Sequence, residues 1–218
     1  MVHINQQSLA FPKLKPFALH LVLAVLGVTL TFYVAGAIYT RAMLPLYSGT
    51  LSAIQPRYEV QSLQITGSAI HLETVVHRQV VDEGGRVLRL KRIVPVSIAV
   101  SSVYIQPIIL LSILATWPLA WRKKTKALLL AIPLLIVINL IDIPFVLAWE
   151  VEDAIAADMP GSTRIITFAG MEIATRVQDS QLLTYWYVFL QTGGRQFLGL
   201  FGALLCIGLF AMRTEKDS

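Results

Sequence analysis

The sequence predicts a membrane α-helical fold: four transmembrane helices with a small β-rich extracytoplasmic domain between helices 1 and 2. Three observations carry this. The chain of 218 residues is 56% hydrophobic and only 14% charged, with mean hydropathy +0.67, too apolar for an ordinary soluble domain. Four apolar runs, at residues 17–39, 100–121, 127–149 and 182–212, are long enough to cross about 30 Å of hydrocarbon. Between the first two, the apolar period changes to two, the repeat of a strand.

The net charge of +5 does not point to nucleic acid, because the basic residues are dispersed or lie beside apolar runs with no aromatic-interleaved basic face. It fits a positive-inside bias. The single cysteine, Cys206, lies inside an apolar run, so no intramolecular disulfide can staple the external segments.

Residues 1–16, with Lys13 and Lys15, read as a cytoplasmic tail before an uncleaved signal anchor, since the run 17–39 is longer than a signal-peptide core. Gly27 and Gly36 are its expected close-packing points, and Tyr33 and Tyr39 mark its outer interface. Residues 40–99 form the expected external domain. Val60, Leu63 and Ile65 precede Gly67; Ile70, Leu72, Thr74 and Val76 then alternate with His71, Glu73, Val75 and His77. Asp82-Glu83-Gly84-Gly85 is a turn leading to a strand at 86–94, hence a hairpin with a third strand before it. Such a sheet is marginal alone and needs the helices, its linkers or a partner for support. His71, Glu73 and His77 share a strand face but lack a fourth ligand, so no metal and no cofactor is expected.

The second span, 100–121, carries Tyr104, Gln106, Pro107 and Pro118 and ends at Trp117 and Trp121. Residues 122–126, Arg-Lys-Lys-Thr-Lys, form the densest basic cluster and are expected as a cytoplasmic loop. That sets the third span, 127–149, running outward, followed by an external loop over 150–181. An aromatic interfacial segment and the fourth span occupy 182–212, before a cytoplasmic tail at 213–218. Gly199, Gly202, Ala203 and Gly208 offer a small-residue face. Both termini are thus cytoplasmic, in a multi-pass protein of the bacterial inner membrane.

Counting helix rise gives the polar side chains a common depth. Asn139 and Asp142 are three apart, on one helix face, about 18 and 22 Å from the inner edge. Tyr104 and Gln106 fall in the outer part of the second span, and Arg195 opens the fourth. Tyr104, Gln106, Asn139, Asp142 and Arg195 therefore form one candidate outer polar layer. An Asp142–Arg195 ion pair, completed by Asn139 and Gln106, would offset the cost of burying either charge. The layer reads as a clamp holding the helices in register, as a pocket for a lipid headgroup or peptide tail, or as a catalytic site. Cys206, about 16 Å deeper than Arg195, reads as a small core hydrophobe.

The layout, and the stretch Tyr185-Trp186-Tyr187-Val188-Phe189-Leu190-Gln191-Thr192-Gly193-Gly194-Arg195 that introduces the last span, resembles the small membrane proteins associated with exosortases, particularly the exosortase H-associated group. The resemblance implies an accessory role beside a membrane cysteine transpeptidase that processes sorting-signal tails at the outer face. The Cys, Arg and His set of the transpeptidase is not matched here: Cys206 lacks the surrounding motif and no intramembrane His follows a matching Arg. No catalytic residue is carried over. The expected function is a non-catalytic subunit of an envelope sorting, processing or export assembly, bound to the bilayer and to a membrane-protein partner. A membrane enzyme acting on a lipid-linked or peptide substrate is the alternative, with a small-solute transporter component third.

Overall fold

The computed structural model describes residues 14–81, 87–157, 163–168, 171–176 and 181–211. Residues 1–13 and 212–218, the Asp82-Glu83-Gly84-Gly85 turn and the Met159–Ser162 stretch lie outside the described residues, while 14–16, the end of the expected N-terminal tail, are already helical in α1. The chain runs α1 (Leu14–Ile54), β1 (Tyr58–Thr66), β2 (Ala69–Val81), β3 (Val87–Ala99), α2 (Ser101–Thr116), α3 (Trp121–Ala157), β4 (Thr163–Phe168), β5 (Met171–Arg176), α4 (Gln181–Phe189), a wide π-helical turn (Leu190–Gly194) and α5 (Arg195–Ala211).

Among the described residues, three helical stretches are long and apolar enough to cross a membrane: Pro16–Ile54, Trp121–Ala157 and Leu182–Phe210. The second span expected at 100–121 is shorter, because α2 stops at Thr116. Trp117 is extended, at φ −63° and ψ 137°. Pro118 follows it, and a residue before proline avoids the helical region. At 16 residues α2 is about 24 Å long.

The other helices outrun the expected spans. α1 continues through residues 40–54, assigned above to the external domain, because Met43, Tyr47 and Leu51, each four apart, bury one stripe against the core. α3 begins at Trp121, so the basic cluster at 122–126 lies in its first turns and the connection from α2 is the short segment 117–120. It ends at Ala157, past the expected limit at Trp149. Pro144 lies inside α3 and has no N–H to donate to the Leu140 carbonyl. One residue further on, the Ile141 carbonyl accepts the Trp186 indole N–H at 2.7 Å.

The sheet is antiparallel in the order β1-β2-β3. Ile70, Leu72, Thr74 and Val76 of β2 and Val94 and Ile98 of β3 bury one face. The apolar residues of β1 change parity between Val60 and Leu63 because the register slips between Val60 and Ser62, a bulge. The segment between α3 and α4, expected as a loop over 150–181, contains a hairpin, β4–β5.

Two apolar clusters result. The outer one joins Met43, Tyr47 and Leu51 of α1 and Ile143, Leu147 and Val151 of α3 to the sheet residues Ile70, Leu72, Val94 and Ile98. The sheet therefore leans on the helices. The inner cluster packs Leu110 and Leu114 of α2, Ala131 and Leu135 of α3, and Ala203, Cys206 and Ile207 of α5. Small residues let α5 approach α2: a Cβ on Gly199 would lie 3.1 Å from the Gln106 carbonyl oxygen, and one on Gly202 would lie 2.8 Å from Leu110 Cδ1. Gly208 has nothing within 4 Å and does not share that contact. In α1, Gly36 packs under the Tyr104 ring, whereas Gly27 meets nothing within 4 Å, on a stretch whose apolar side chains are exposed.

Candidate functional site

Of the buried polar side chains of the helices, Gln106, Asn139 and Asp142 lie between the two apolar clusters. Gln106 sits between Val103 of the outer cluster and Leu110 of the inner one; Asn139 and Asp142 sit between Ile138 and Ile143. Arg195 is the first residue of α5, directly after the wide turn.

Asp142 is fully buried and Arg195 is 5% exposed. The Arg195 Nε donates to Asp142 Oδ2 at 2.9 Å and to Oδ1 at 3.2 Å. Gln106 Nε2 donates to Asp142 Oδ2 as well. Three helices, α2, α3 and α5, thus meet on one carboxylate. In this setting the ionic partner and the two donor groups offset a desolvation cost that would otherwise be several kcal/mol (order of magnitude) per ion. The turn before α5 sets where the guanidinium falls. Gly193 takes φ +119°, which only glycine adopts without strain, and Gly194 lies so close to Phe189 that a Cβ would be 2.6 Å from its carbonyl oxygen.

The other two residues of the expected layer are placed differently. Asn139 shares a helix face with Asp142 but turns to α1: its Nδ2 donates to Tyr39 Oη and to the Leu135 carbonyl, both at 3.0 Å, and its Oδ1 accepts from Tyr47 Oη at 3.3 Å. Tyr104 also engages α1, accepting from Thr40 Oγ1 at 3.5 Å while its ring lies 5.4 Å from Phe32. The layer is therefore two adjoining networks, one centred on Asp142 and one on Asn139. Tyr39 was read above as an interface marker and Tyr47 as part of the external domain. Their spacing of two helical turns on α1, opposite a buried amide, is the signal that links them.

A third cluster ties the sheet to the helices. Arg57 Nη2 and the Tyr58 hydroxyl both donate to Glu152 Oε1, joining the start of β1 to the last turns of α3. Burial and the adjacent Glu152 carboxylate push the Tyr58 phenol above its ordinary range, so it remains a donor through neutral and mildly alkaline pH. Such a raised group contributes stability in full below its unfolded value and loses it only as pH rises through the folded one. Glu152→Ala is expected to destabilise the chain by about 1–3 kcal/mol by orphaning the buried Tyr58 hydroxyl, with the loss concentrated in the sheet. Hydrogen exchange of β1 and α5 in nanodiscs checks this: protection should fall in β1 first and persist in α5.

Trp149 stacks on Tyr187 with ring centroids 3.5 Å apart and planes 10° from parallel, and the Tyr187 hydroxyl donates to Glu150 Oε1 at 3.4 Å. The aromatic run of α4 thus packs on the C-terminal half of α3. Glu73 Oε2 accepts from Ser62 Oγ at 3.2 Å, so it serves a cross-strand bond beside His71. Among the described residues, Gln106 Oε1, Ser112 Oγ and Trp149 Nε1 are buried without a hydrogen-bond partner. Cys206 is fully buried in the inner apolar cluster. Protein-family models, curated proteins and solved structures all fail to match this chain.

Proposed function

We propose that the chain crosses the bacterial inner membrane four times, with both termini cytoplasmic, and acts as a non-catalytic accessory subunit of an envelope protein-sorting or processing assembly. An exosortase-like transpeptidase is the proposed partner. Four spans are supported by α2, which buries Val103, Gln106, Pro107, Leu110 and Leu114 within the bundle despite its length. Its orientation follows from the short turn into the basic residues Arg122 to Lys126.

The observation that carries the accessory role is the saturation of Asp142. Its carboxylate is fully buried and engaged by Arg195 and Gln106, as a clamp requires and as a proton-transfer group reaching substrate does not. The surface left for interaction is the sheet, locked to α3 through Glu152. The second reading, an enzyme acting on a lipid-linked or peptide substrate, draws on one atom: Gln106 Oε1, buried beside the ion pair without a donor, could accept from a substrate N–H or O–H.

Crosslinking followed by mild-detergent purification of a tagged chain from its native membrane separates the two. A membrane transpeptidase or protease in stoichiometric yield is the expected result. A chain recovered alone with lipid or peptide bound at the outer layer overturns the accessory role.

A further inference from the structure

The sheet is three-stranded over only part of its length. β1 begins at Tyr58, opposite Val76, yet β2 and β3 continue as a two-stranded ribbon through His77↔Lys91, Arg78↔Leu90, Gln79↔Arg89, Val80↔Leu88 and Val81↔Val87. These five pairs add about 17 Å. Along them, the side of β2 on which β1 lies lower down has no strand partner among the described residues.

The direction of the ribbon is fixed at both ends of β1. Tyr58 is bound to Glu152 in the last turns of α3, and the β1–β2 turn lies at the start of α2, where Val100 N–H donates to the Ser68 carbonyl at 2.9 Å. Continuing past Tyr58 therefore carries the ribbon away from the start of α2. Over residues 77–92 the sequence carries five basic residues, Arg78, Arg86, Arg89, Lys91 and Arg92, against two acidic ones, Asp82 and Glu83, a net charge of +3 with His77 neutral. At the ribbon's base Lys91 and Arg92 are exposed, next to Ile93, which is 64% exposed although it is a large apolar side chain in a strand. An open strand edge pairs readily with another extended chain. The basic surroundings select one of opposite charge.

The geometry points to the β2 edge over residues 77–81 as the docking site for an acidic, extended segment of a partner polypeptide, added as a strand in line with β1. A lipid surface is the weaker occupant, because the ribbon leads away from the helix that enters the bundle at Ser101. The inference rests on the accessory reading and names the chemistry of the partner segment.

The test uses the full chain in phosphatidylcholine nanodiscs and a short fluorescent peptide of alternating Glu and Val. Controls are its Lys-for-Glu counterpart, a version N-methylated at alternate residues, and separate phosphatidylglycerol vesicles. The acidic peptide should bind, and its affinity should fall at least about tenfold at high salt and in Arg89→Glu/Lys91→Glu. It should fall by a smaller factor in the milder Arg89→Gln/Lys91→Gln, which guards against misfolding of the reversed variant. N-methylation should abolish binding by removing the edge donors. Equal binding of both peptides, unchanged binding by the variants, retained binding after N-methylation, or binding to phosphatidylglycerol vesicles alone each overturns the proposal. A native partner recovered equally with wild type and the charge-reversed chain overturns the ribbon assignment alone. Recovery of the chain without any partner overturns the accessory reading, and peptide binding still decides the ribbon.

Discussion

Asp142→Ala should destabilise the folded bundle by about 3–5 kcal/mol, because it leaves the Arg195 guanidinium buried without its anion. Arg195→Ala should cost a similar amount by stranding the carboxylate. Replacing both with apolar residues of similar volume should recover most of the loss, since a buried pair is far more costly to break than to remove. Unfolding in bicelles, read through the tryptophans, compares the wild type, the two single variants and the doubly apolar variant. Single variants within about 0.5 kcal/mol of wild type, the range of an exposed site, would mean that the pair does not hold the bundle.

Gly194→Ala is the second large effect. Its Cβ would lie 2.5 Å from Phe189 Cε1 and 2.6 Å from the Phe189 carbonyl oxygen. A ring can rotate, but the backbone oxygen moves only if the wide turn opens. That opening also displaces Arg195, the next residue, from Asp142. The expected cost is at least about 1–3 kcal/mol, the range for overpacking. Gly208→Ala, inside α5 with nothing within 4 Å, should instead be neutral or stabilising by up to about 1 kcal/mol from helix propensity. Equal stability of the two variants in the same unfolding assay would contradict the close turn.

The meeting of Asp142 with Arg195 and Gln106 was legible in the sequence because helix rise is rigid: depth can be counted along an apolar run without knowing how helices pack. The partners of Asn139 were not legible. It lies on the same face as Asp142, and helix rise does not show which neighbouring helix each side chain meets. Helix ends were also lost where tertiary burial overrides local composition. Thr40 to Ile54 contains Pro45 and Gly49 and looks like loop, yet the stripe Met43, Tyr47, Leu51 keeps it helical against the sheet. The opposite happened at α2, where Pro118 ended the helix before the apolar run did. The sheet was visible in its period of two, and the parity change in β1 carried the bulge in plain view. The Glu152 cluster was hidden because its members are 95 residues apart in sequence and a buried acidic side chain near a helix end looks like any solvated one.

The most direct test of the central proposal, that the polar layer holds the bundle while a proposed partner performs the chemistry, uses the uncharged double variant Asp142→Asn/Arg195→Gln expressed in the native membrane in place of the wild-type chain. The readouts are recovery of the proposed transpeptidase partner and processing of the sorting-signal tails proposed as its substrates. The account predicts a folded chain that retains the partner in wild-type stoichiometry with processing intact. A chain that folds and keeps its partner yet loses processing altogether would contradict it, and would place Asp142 and Arg195 in the reaction itself.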